Sequence, residues 1–277
     1  MVNWMHPPIT PLFVPASRPH LFAKVAASGA DAVILDLEDA VAPGQKAAAR
    51  AAILSHAASL DVPVIVRINA IGKPWHEADL DALRPLNLLS LMLPKTESAQ
   101  DISSVHARFG RQCPVIALVE TAAGLGRLAD ILAAPNLAMI AFGSVDFALD
   151  IGCAHDRQAL LAARSEIVWR SRAANCRPPL DGVTLNLGAS DIVAADAAHA
   201  AMLGFGGKMA IHPAQIDPIR GAFTPSDAAI AWAHKILAAG SSGEATRIDG
   251  EMVDRPIVER AHRILASPPK IRLAPRG

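Results

Sequence analysis

The chain has 277 residues, and its 26 Lys and Arg residues balance 26 Asp and Glu residues, so a strongly basic surface for nucleic acid is not expected. Tyr is absent and aromatic residues make up only 4% of the chain, which also argues against a platform for stacked bases. Charges or prolines interrupt every long apolar run, and the N-terminus has no basic segment followed by an apolar core, so neither a membrane span nor an export signal is expected.

The three cysteines, Cys113, Cys153 and Cys176, are scattered along the chain and odd in number. This pattern fits a reducing compartment better than a framework of disulfide bonds. We therefore expect a cytoplasmic protein whose partners are small molecules rather than nucleic acids or membranes.

Short apolar runs alternate with Ala-rich amphipathic stretches, which predicts parallel strands joined by helical crossovers. The strands are almost continuously apolar, as expected when both faces of a sheet are covered. Eight strands are predicted, at residues 12–17, 32–39, 62–69, 88–95, 114–120, 137–144, 180–187 and 208–211. Eight such units favour a closed (β/α)₈ TIM barrel over an open sheet, and we place it at residues 1–222.

Local signals mark several helix boundaries. Pro19 suits the first turn of a helix, and Ser98 with Asp101 resembles a capping box. After the barrel, Ile230, Ala233 and Leu237 keep helical spacing, residues 240–246 are typical of a flexible connector, and residues 255–265 predict a last helix. A C-terminal helical extension is therefore expected at residues 223–277.

Polar residues follow most of the predicted strands. In a (β/α)₈ barrel the chemistry takes place at the carboxyl ends of the strands, so polar residues there are interpreted as functional before structural. The residues at these positions are Ser17, Asp36, Glu38, Asp39, Arg67, Asn69, Lys95, Glu120, Asp146, Asn186 and His212.

Glu120 and Asp146 each end an apolar strand, where a charge is costly unless something binds it. One interpretation is that both acids cap helices or accept hydrogen bonds from loop N–H groups. Their strand-end positions favour metal ligation. Because the predicted ligands are oxygens without a nearby His or Cys, Mg²⁺ is the first choice and Mn²⁺ the second.

Arg67 is a permanently charged group at the end of an apolar strand. It either forms a buried ion pair with Asp36 or Glu38, which share one face of their strand, or contacts an anionic substrate. Both can hold at once, since an acid that fixes the guanidinium also positions it. For Lys95 an ion pair is favoured over a Schiff base, and for His212 a structural role is favoured over that of a catalytic base.

Other common catalytic motifs are missing. The run from Gly204 to Lys208 lacks both the Ser or Thr of a phosphate loop and the third spaced glycine of a dinucleotide fingerprint, so it predicts a tight turn into a strand. No Gly-x-Ser-x-Gly, His-Glu-x-x-His or Cys-x-x-Cys sequence occurs, which argues against a serine hydrolase, a zinc peptidase and a thiol redox protein.

Taken together, these motifs resemble the HpcH/HpaI aldolase and citrate lyase β-subunit (CitE-like) family. The resemblance covers nearly the whole chain and rests on the stretches at residues 12–19, 35–41, 46–50, 66–69, 93–95, 117–122, 142–146, 181–183, 204–208 and 211–216. It implies that Glu120 and Asp146 hold Mg²⁺ and that Arg67 binds the substrate and stabilises an enolate. Substrate contacts are expected from Arg67, Glu120, Asp146 and Ser17, and Asp36, Glu38, Asp39 and Lys95 are expected to support them.

The resemblance also implies a homo-oligomer, a trimer or hexamer, whose C-terminal segment acts as a lid over a neighbour's barrel. In acyl-CoA lyases of this family an Asp in a Met-(Val/Ile)-Asp-x-Pro stretch acts from that lid as an acid or base. The corresponding residue is Asp254, although its position also suits the N-cap of the last helix. The chain departs from the family pattern at residues 15–17 and 184–191.

The expected function is a Mg²⁺-dependent carbon–carbon lyase that cleaves a 3-hydroxy dicarboxylic acyl-CoA, of the citramalyl-CoA or malyl-CoA type, to a 2-oxo acid and acetyl-CoA. Alternatives are a class II aldolase for free 2-oxo acids and a citrate lyase β subunit whose substrate is linked to an acyl carrier protein. A catalytically silent scaffold is disfavoured, because the metal, Arg and lid positions all carry chemically competent residues.

Overall fold

The computed structural model of the chain describes residues 7–110, 113–239, 246–248 and 251–266. The chain divides into two compact units, Met1–Arg220 and Gly221–Gly277. Each unit has a hydrophobic core of its own, and the two are described separately.

The first unit contains eight parallel strands whose spatial order is their order in the sequence. They are β1 (Pro11–Pro15), β2 (Ala32–Asp36), β3 (Val64–Arg67), β4 (Ser90–Leu93), β5 (Val115–Val119), β6 (Leu137–Phe142), β7 (Leu180–Asp181) and β8 (Gly207–Lys208). A parallel bridge between Leu12 and Ala210, with a 2.8 Å hydrogen bond from Lys208 N to Ile9 O, connects the last strand to the first. The predicted (β/α)₈ barrel is confirmed.

Apolar side chains from alternate positions on these strands fill the barrel interior. Ile34, Ile65, Met92, Ile116 and Met139 are all buried within one cluster. Every residue of β2 and β5 is buried, because the strands face the barrel interior on one side and the surrounding helices on the other. This explains why the strands are apolar throughout rather than alternating.

Helices follow most of the strands and surround the barrel. They are α1 (Phe22–Ala26), α2 (Lys46–His56), α3 (His76–Leu83), α4 (Ala99–Phe109), α5 (Ala122–Gly126), α6 (Leu128–Leu132), α7 (Ser144–Ile151), α8 (Leu161–Ala173), α9 (Ser190–Leu203) and α10 (Ile216–Phe223). Pro19 begins a 3₁₀ turn, and the capping box of Ser98 and Asp101 starts α4, so both sequence signals are confirmed.

The predicted strand at residues 180–187 is wrong beyond Asp181, where β7 ends. The carbonyl oxygen of Gly182 accepts a hydrogen bond from Lys208 Nζ instead of a neighbouring strand, and Asn186 Oδ1 accepts the N–H groups of Gly188 and Ala189 in a turn. The alternating leucines that suggested a strand are exposed, Leu185 by 54% and Leu187 by 51%.

The second unit contains α11 (Asp227–Ala239), β9 (Thr246–Ile248), β10 (Glu251–Val253) and α12 (Arg255–Ala266). The two strands pair antiparallel, and Ala233, Ile236 and Ala261 form the buried contact between the two helices. The predicted last helix is confirmed and ends one residue later than expected. Most of the predicted connector, at 240–245, lies outside the described residues. Among the described helices, none combines the length and the apolar character needed to cross a membrane.

Candidate active site

Several of the polar residues predicted at strand ends meet at one end of the barrel. Parallel strands all present their carboxyl ends at the same rim, so residues at the ends of β2 and β3 and just after β2, β4 and β5 come together there although they are far apart in the sequence. The residues brought together in this way are Asp36, Glu38, Arg67, Lys95 and Glu120.

Arg67 lies at the centre of this group. Its Nε and Nη2 atoms each donate a 2.7 Å hydrogen bond to a different oxygen of Asp36, and its Nη1 lies 3.0 Å from Glu38 Oε2. The guanidinium carbon lies 5.0 Å from the centre of the Phe13 ring. Two acids after neighbouring strand segments and one aromatic face therefore fix the orientation of the guanidinium.

Arg67 remains protonated despite its burial. Burial alone would lower the pKa of Arg67, but the adjacent carboxylates of Asp36 and Glu38 raise it well above its ordinary value. Asp36 is itself held in place, since its two oxygens accept the backbone N–H groups of Glu38 and Ala40 at 2.8 and 3.1 Å. The ion pair considered from the sequence is present, and contact with a substrate stays a prediction.

Glu120 follows β5 and is 1% exposed. Its Oε1 accepts a 2.8 Å hydrogen bond from the backbone N–H of Lys95. Its Oε2 lies over Gly143, the residue between β6 and α7. Burial and the charges of Glu38 and Asp146 raise the pKa of Glu120 to about 8, and Lys95 and Arg67 only partly oppose this.

Lys95 has an unusual backbone conformation for its residue type. Its φ is +50°, in the left-handed region that side chains with a Cβ rarely adopt. The ammonium lies 3.3 Å from Glu38 Oε1 and 3.7 Å from Glu120 Oε1, and the side chain is 40% exposed. Burial would lower the pKa of Lys95, but Glu120 and Glu38 raise it, so the side chain is an ammonium engaged in ion pairs. This geometry matches the ion pair that was favoured over a Schiff base.

Asp146 lies in the first turn of α7 and is half-buried. Within the described residues its carboxylate makes no hydrogen bond or ion pair. Its charge is close enough to Glu120 to help raise the pKa of that residue. The two acids are therefore neighbours, and Asp146 is available to bind a ligand.

The charges of the site match a divalent cation. The cluster contains four carboxylates, of Asp36, Glu38, Glu120 and Asp146, and two cations, Arg67 and Lys95, which leaves an excess of two negative charges when all are ionised. Only oxygen atoms are available as donors, which suits Mg²⁺ or Mn²⁺. No group of three His, Cys, Asp or Glu side chains forms a complete metal cage in the described residues. Two carboxylates are enough for Mg²⁺, which usually keeps several water ligands.

Other predicted strand-end residues lie outside this cluster. Asn69 points to α2 and α3, where it accepts a hydrogen bond from Lys46 Nζ and donates one to Asp79. His212 is exposed, and its Nδ1 accepts the N–H of Ala214 as in a helix cap. Ser17 is half-buried and Asp39 is exposed, although the charge of Asp39 does contribute to raising the pKa of Glu38.

Sequence reasoning missed two buried cations near the rim. Lys46, which looks like a surface charge at the start of a helix, is 4% exposed and donates to the carbonyls of Leu37 and Glu38. Lys208 is 1% exposed and pairs at 2.9 Å with Asp181, which also binds Arg164. Lys46 thereby holds the loop that carries Glu38, so its contribution to the site is indirect. Lys46 follows a glutamine and precedes a run of alanines, and Lys208 lies between a glycine and a methionine, so neither context predicts a buried charge.

Asp254 lies in the second unit, immediately before α12, and is exposed. Its Oδ1 accepts a 3.3 Å hydrogen bond from the backbone N–H of Ile257, so the N-cap role expected from the sequence is present. Among the described residues only one of its carboxylate oxygens accepts a hydrogen bond, and the catalytic role implied by the resemblance stays a prediction.

The fold and the cluster define a (β/α)₈-barrel enzyme with an anionic site suited to a divalent cation. The family model described as HpcH/HpaI aldolase/citrate lyase matches residues 10–213, which include every member of the cluster. The chain belongs to the HpcH/HpaI aldolase/citrate lyase family, as its motifs predicted.

The chain is similar to several named proteins over almost their full lengths. A citrate lyase subunit beta-like protein of Mycobacterium tuberculosis is 39% identical over 266 residues, covering 92% of this chain and 93% of that protein. An L-malyl-CoA/beta-methylmalyl-CoA lyase of Cereibacter sphaeroides is 35% identical over 302 aligned positions, covering 94% and 95%.

A solved structure of CitE from Mycobacterium tuberculosis, in complex with magnesium, acetoacetate and coenzyme A, matches with a TM-score of 0.82 and 37% identity. The match covers 93% of this chain and 96% of that one. The prediction that the chain is a lyase of the citrate lyase β-like type is confirmed by these comparisons.

Proposed function

We propose that the protein is a Mg²⁺-dependent lyase that cleaves a 3-hydroxy dicarboxylic acyl-CoA, of the malyl-CoA or citramalyl-CoA type, to a 2-oxo acid and acetyl-CoA. One observation carries the proposal: two neighbouring carboxylates, Glu120 and Asp146, belong to a cluster whose negative charge Lys95 only partly offsets, and they lie near an arginine whose orientation is fixed by Asp36 and Glu38. The relatives named above, a malyl-CoA lyase and a CitE bound to magnesium and coenzyme A, support the substrate class.

Glu120 and Asp146 are the residues proposed to hold the cation, with Mn²⁺ as a possible substitute for Mg²⁺. When bound there, the cation supplies Lewis-acid polarisation of substrate oxygens. The hydrogen bond from Lys95 N to Glu120 Oε1 fixes one carboxylate oxygen and leaves the other, over Gly143, turned towards the loop that leads to Asp146. Ser17, half-buried after β1, is proposed to contact the substrate.

Arg67 is proposed to bind and stabilise the negatively charged oxygen that develops during the reaction. In the cleavage direction the substrate hydroxyl loses its proton to solvent and its carbon becomes the carbonyl carbon of the 2-oxo acid. The bond from that carbon to the carbon next to the thioester breaks, and its electron pair passes to the thioester as an enolate. A guanidinium held rigidly by Asp36 and Glu38 is an effective partner for such an oxygen, since it does not need to reorganise.

Asp254 is proposed to protonate the enolate carbon, which completes acetyl-CoA, and to remove that proton in the condensing direction. By analogy with the family, it would act on a neighbouring copy in a homo-oligomer, as a lid. Its second carboxylate oxygen accepts no hydrogen bond from the described residues, so it is free for this purpose while the first caps α12.

The direct test is an assay of the metal-stripped protein with malyl-CoA and citramalyl-CoA, with and without added Mg²⁺, in which the released 2-oxo acid is measured. We expect activity only with the metal, and Glu120→Gln should reduce turnover at least ~100-fold, because it removes a metal ligand. Glu166→Gln is the matched control, because Glu166 pairs with Arg170 on α8, outside the cluster.

Full activity of Glu120→Gln in the presence of a chelator would contradict the proposal. Cleavage of free hydroxy-2-oxo acids in place of the thioesters would instead identify an aldolase. Activity only on a substrate linked to an acyl carrier protein would identify a citrate lyase β subunit.

A further inference from the structure

The position of Lys95 points to a role beyond support of its neighbours. Residues with a Cβ adopt a left-handed backbone at a cost, and such residues persist mainly where the surroundings hold them and where function benefits. The other two non-glycine residues with positive φ in the described chain are Asn136 and Asn175, a residue type that tolerates this conformation well. Lys95 is the exception, and it lies in the cluster.

The backbone of Lys95 is held from several sides. Its own N–H donates to Glu120 Oε1, and the neighbouring Thr96 donates its N–H to Leu118 O and its hydroxyl to Leu93 O. On the outer side of this turn, Gly124 approaches Thr96 O so closely that a Cβ at Gly124 would lie 2.6 Å from it. These contacts fix the backbone of the turn and therefore the position of the Lys95 Cα.

The side chain, in contrast, is held only by long contacts and is partly exposed. It is 40% exposed, whereas the acids that it contacts, Glu38 and Glu120, are 8% and 1% exposed. Its ammonium lies 3.3 and 3.7 Å from their oxygens, longer than the 2.7 Å contacts between Arg67 and Asp36. A long flexible side chain with loose contacts can exchange partners, while a bidentate arginine cannot do so easily.

The same carboxylate of Glu120 is the proposed metal ligand. An ammonium 3.7 Å from its Oε1 serves as a cation in the absence of the metal, and a divalent cation bound to Glu120 would repel it. Once it is displaced from Glu120, the 40% exposed lysine keeps Glu38 and Asp39 as nearby acids and is accessible to an anionic group that enters from solvent. The substrate of the proposed reaction brings one such group, the carboxylate that ends up on the 2-oxo acid.

We propose that Lys95 is a displaceable counter-ion, which pairs with Glu38 and with the ionised form of Glu120 before the metal binds and then binds the carboxylate of the 2-oxo acid half of the substrate. This inference rests on the proposed function, because it requires both a divalent cation at Glu120 and an anionic substrate. It makes Lys95 a substrate-binding residue and a competitor of the metal at the same time.

The two roles predict opposite effects of one substitution. Lys95→Met removes the competing charge, so the variant should bind Mn²⁺ about fivefold more tightly than the wild type. It also removes a charged partner of the substrate, so pyruvate should bind the Mn²⁺-loaded variant about tenfold or more weakly. A residue with a purely structural role would weaken both kinds of binding together.

Both affinities can be measured by titration calorimetry, with Mn²⁺ alone and then with pyruvate added to the Mn²⁺-loaded protein. Lys95→Asn provides a second uncharged variant that tolerates the left-handed backbone, in case Lys95→Met does not fold. Lys95→Arg keeps the charge and should retain most pyruvate binding. Lys24→Met, on the exposed face of α1, is the control for loss of a lysine charge elsewhere.

Tighter Mn²⁺ binding with weaker pyruvate binding in the uncharged variants supports the inference. Unchanged affinities in these variants, or a loss of both, would overturn the inference about Lys95. The proposed function would stand in that case, provided that the wild-type protein binds Mn²⁺. If the wild-type protein binds no Mn²⁺, the proposed function fails and this inference fails with it.

Discussion

The side chain of Glu120 occupies the space that a Cβ would take at Gly143. A Cβ built on Gly143 would lie 2.4 Å from both Cβ and Oε2 of Glu120, much closer than any real contact of this kind. The glycine at the end of β6 therefore determines where the carboxylate after β5 can lie. Three residues later the chain reaches Asp146, so one short segment provides both the space for the first proposed ligand and the second ligand itself.

Gly143→Ala should consequently displace Glu120 and weaken metal binding. The two atoms in the way belong to the buried Glu120 side chain: Oε2 can move away only by a change of rotamer, and Cβ can move only with the backbone. We expect Mn²⁺ affinity to fall about tenfold or more, with turnover falling in parallel. The measurement is titration of the variant with Mn²⁺, supported by circular dichroism to show that it is folded.

Gly126→Ala is a matched control, because nothing lies within 4 Å of a Cβ at that position in α5. This control should bind Mn²⁺ like the wild type and be equally or slightly more stable, since alanine favours a helix. Wild-type Mn²⁺ affinity in Gly143→Ala would show that the carboxylate of Glu120 is not a ligand in its present position.

Asp36→Asn should lower both the stability and the activity of the protein. Asp36 is 1% exposed and binds Arg67 through two 2.7 Å hydrogen bonds, so removal of its charge leaves a buried guanidinium with Glu38 as its remaining acid. Breaking a buried pair typically costs about 3–5 kcal/mol, and the freed guanidinium should reduce turnover more than substrate affinity. Urea unfolding and steady-state kinetics measure the two effects.

Asp81→Asn is the control for this substitution. Asp81 also forms a close ion pair, with Arg108 at 2.6 Å, but both side chains are nearly half exposed, at 46% and 45%. Loss of an exposed, solvent-screened pair should change the free energy of unfolding far less than loss of the buried pair and leave turnover unchanged. Equal effects of the two substitutions would show that the Asp36–Arg67 pair has no special role.

Glu120 should make the metal-free protein less stable as the pH rises. Burial and the charges of Glu38 and Asp146 raise the pKa of Glu120 from its ordinary value of 4.5 to about 8. The folded protein therefore holds a proton that the unfolded chain releases between these two values. The stabilisation is fully present below the unfolded pKa and is lost as the pH rises through about 8.

Mg²⁺ should remove this dependence, because a cation at Glu120 favours the ionised carboxylate and displaces the proton. The test is urea unfolding at about pH 6 and about pH 8.5, with and without Mg²⁺. Glu120→Gln cannot ionise and should show a smaller loss of stability over the same interval. An identical pH dependence in the variant and the wild type would mean that another group is responsible.

Much of the fold follows from local sequence patterns. Runs such as Val115–Val119 are apolar without alternation, which is the signature of a strand covered on both faces, and each is followed by polar residues where it reaches the rim. Since parallel strands end at the same rim, the meeting of Arg67 with Asp36 and Glu38 is implied by strand order alone. The predicted strand boundaries are less accurate, and several polar residues that were assigned to strand ends lie in the loops just beyond the strands.

The remaining features depend on contacts between strands whose register local sequence does not specify. The contact between Gly143 and Glu120 joins the ends of β5 and β6, and the left-handed conformation of Lys95 depends on the carboxylate of Glu120 that receives its N–H. The error at residues 180–187 has a similar origin. Alternating leucines suit a strand, but the hydrogen bond from Lys208 to Gly182 O, made by a buried side chain, ends β7 first.

The final prediction separates the two roles of Asp254. Asn caps helices about as well as Asp, so Asp254→Asn should keep the hydrogen bond to the N–H of Ile257 and leave the free energy of unfolding nearly unchanged. It removes the carboxylate, however, and general acid–base catalysis with it, so turnover of the acyl-CoA substrate should fall about 100-fold or more. Asp254→Ala should lose activity equally and should in addition lose about 1 kcal/mol of stability with the cap.

Exchange of the acetyl-CoA methyl protons with deuterated solvent reports the proton transfer directly, and should stop in both variants. If Asp254→Asn retained exchange and turnover while Asp254→Ala lost them, the residue would act through the helix cap alone, and the acid would have to be sought elsewhere.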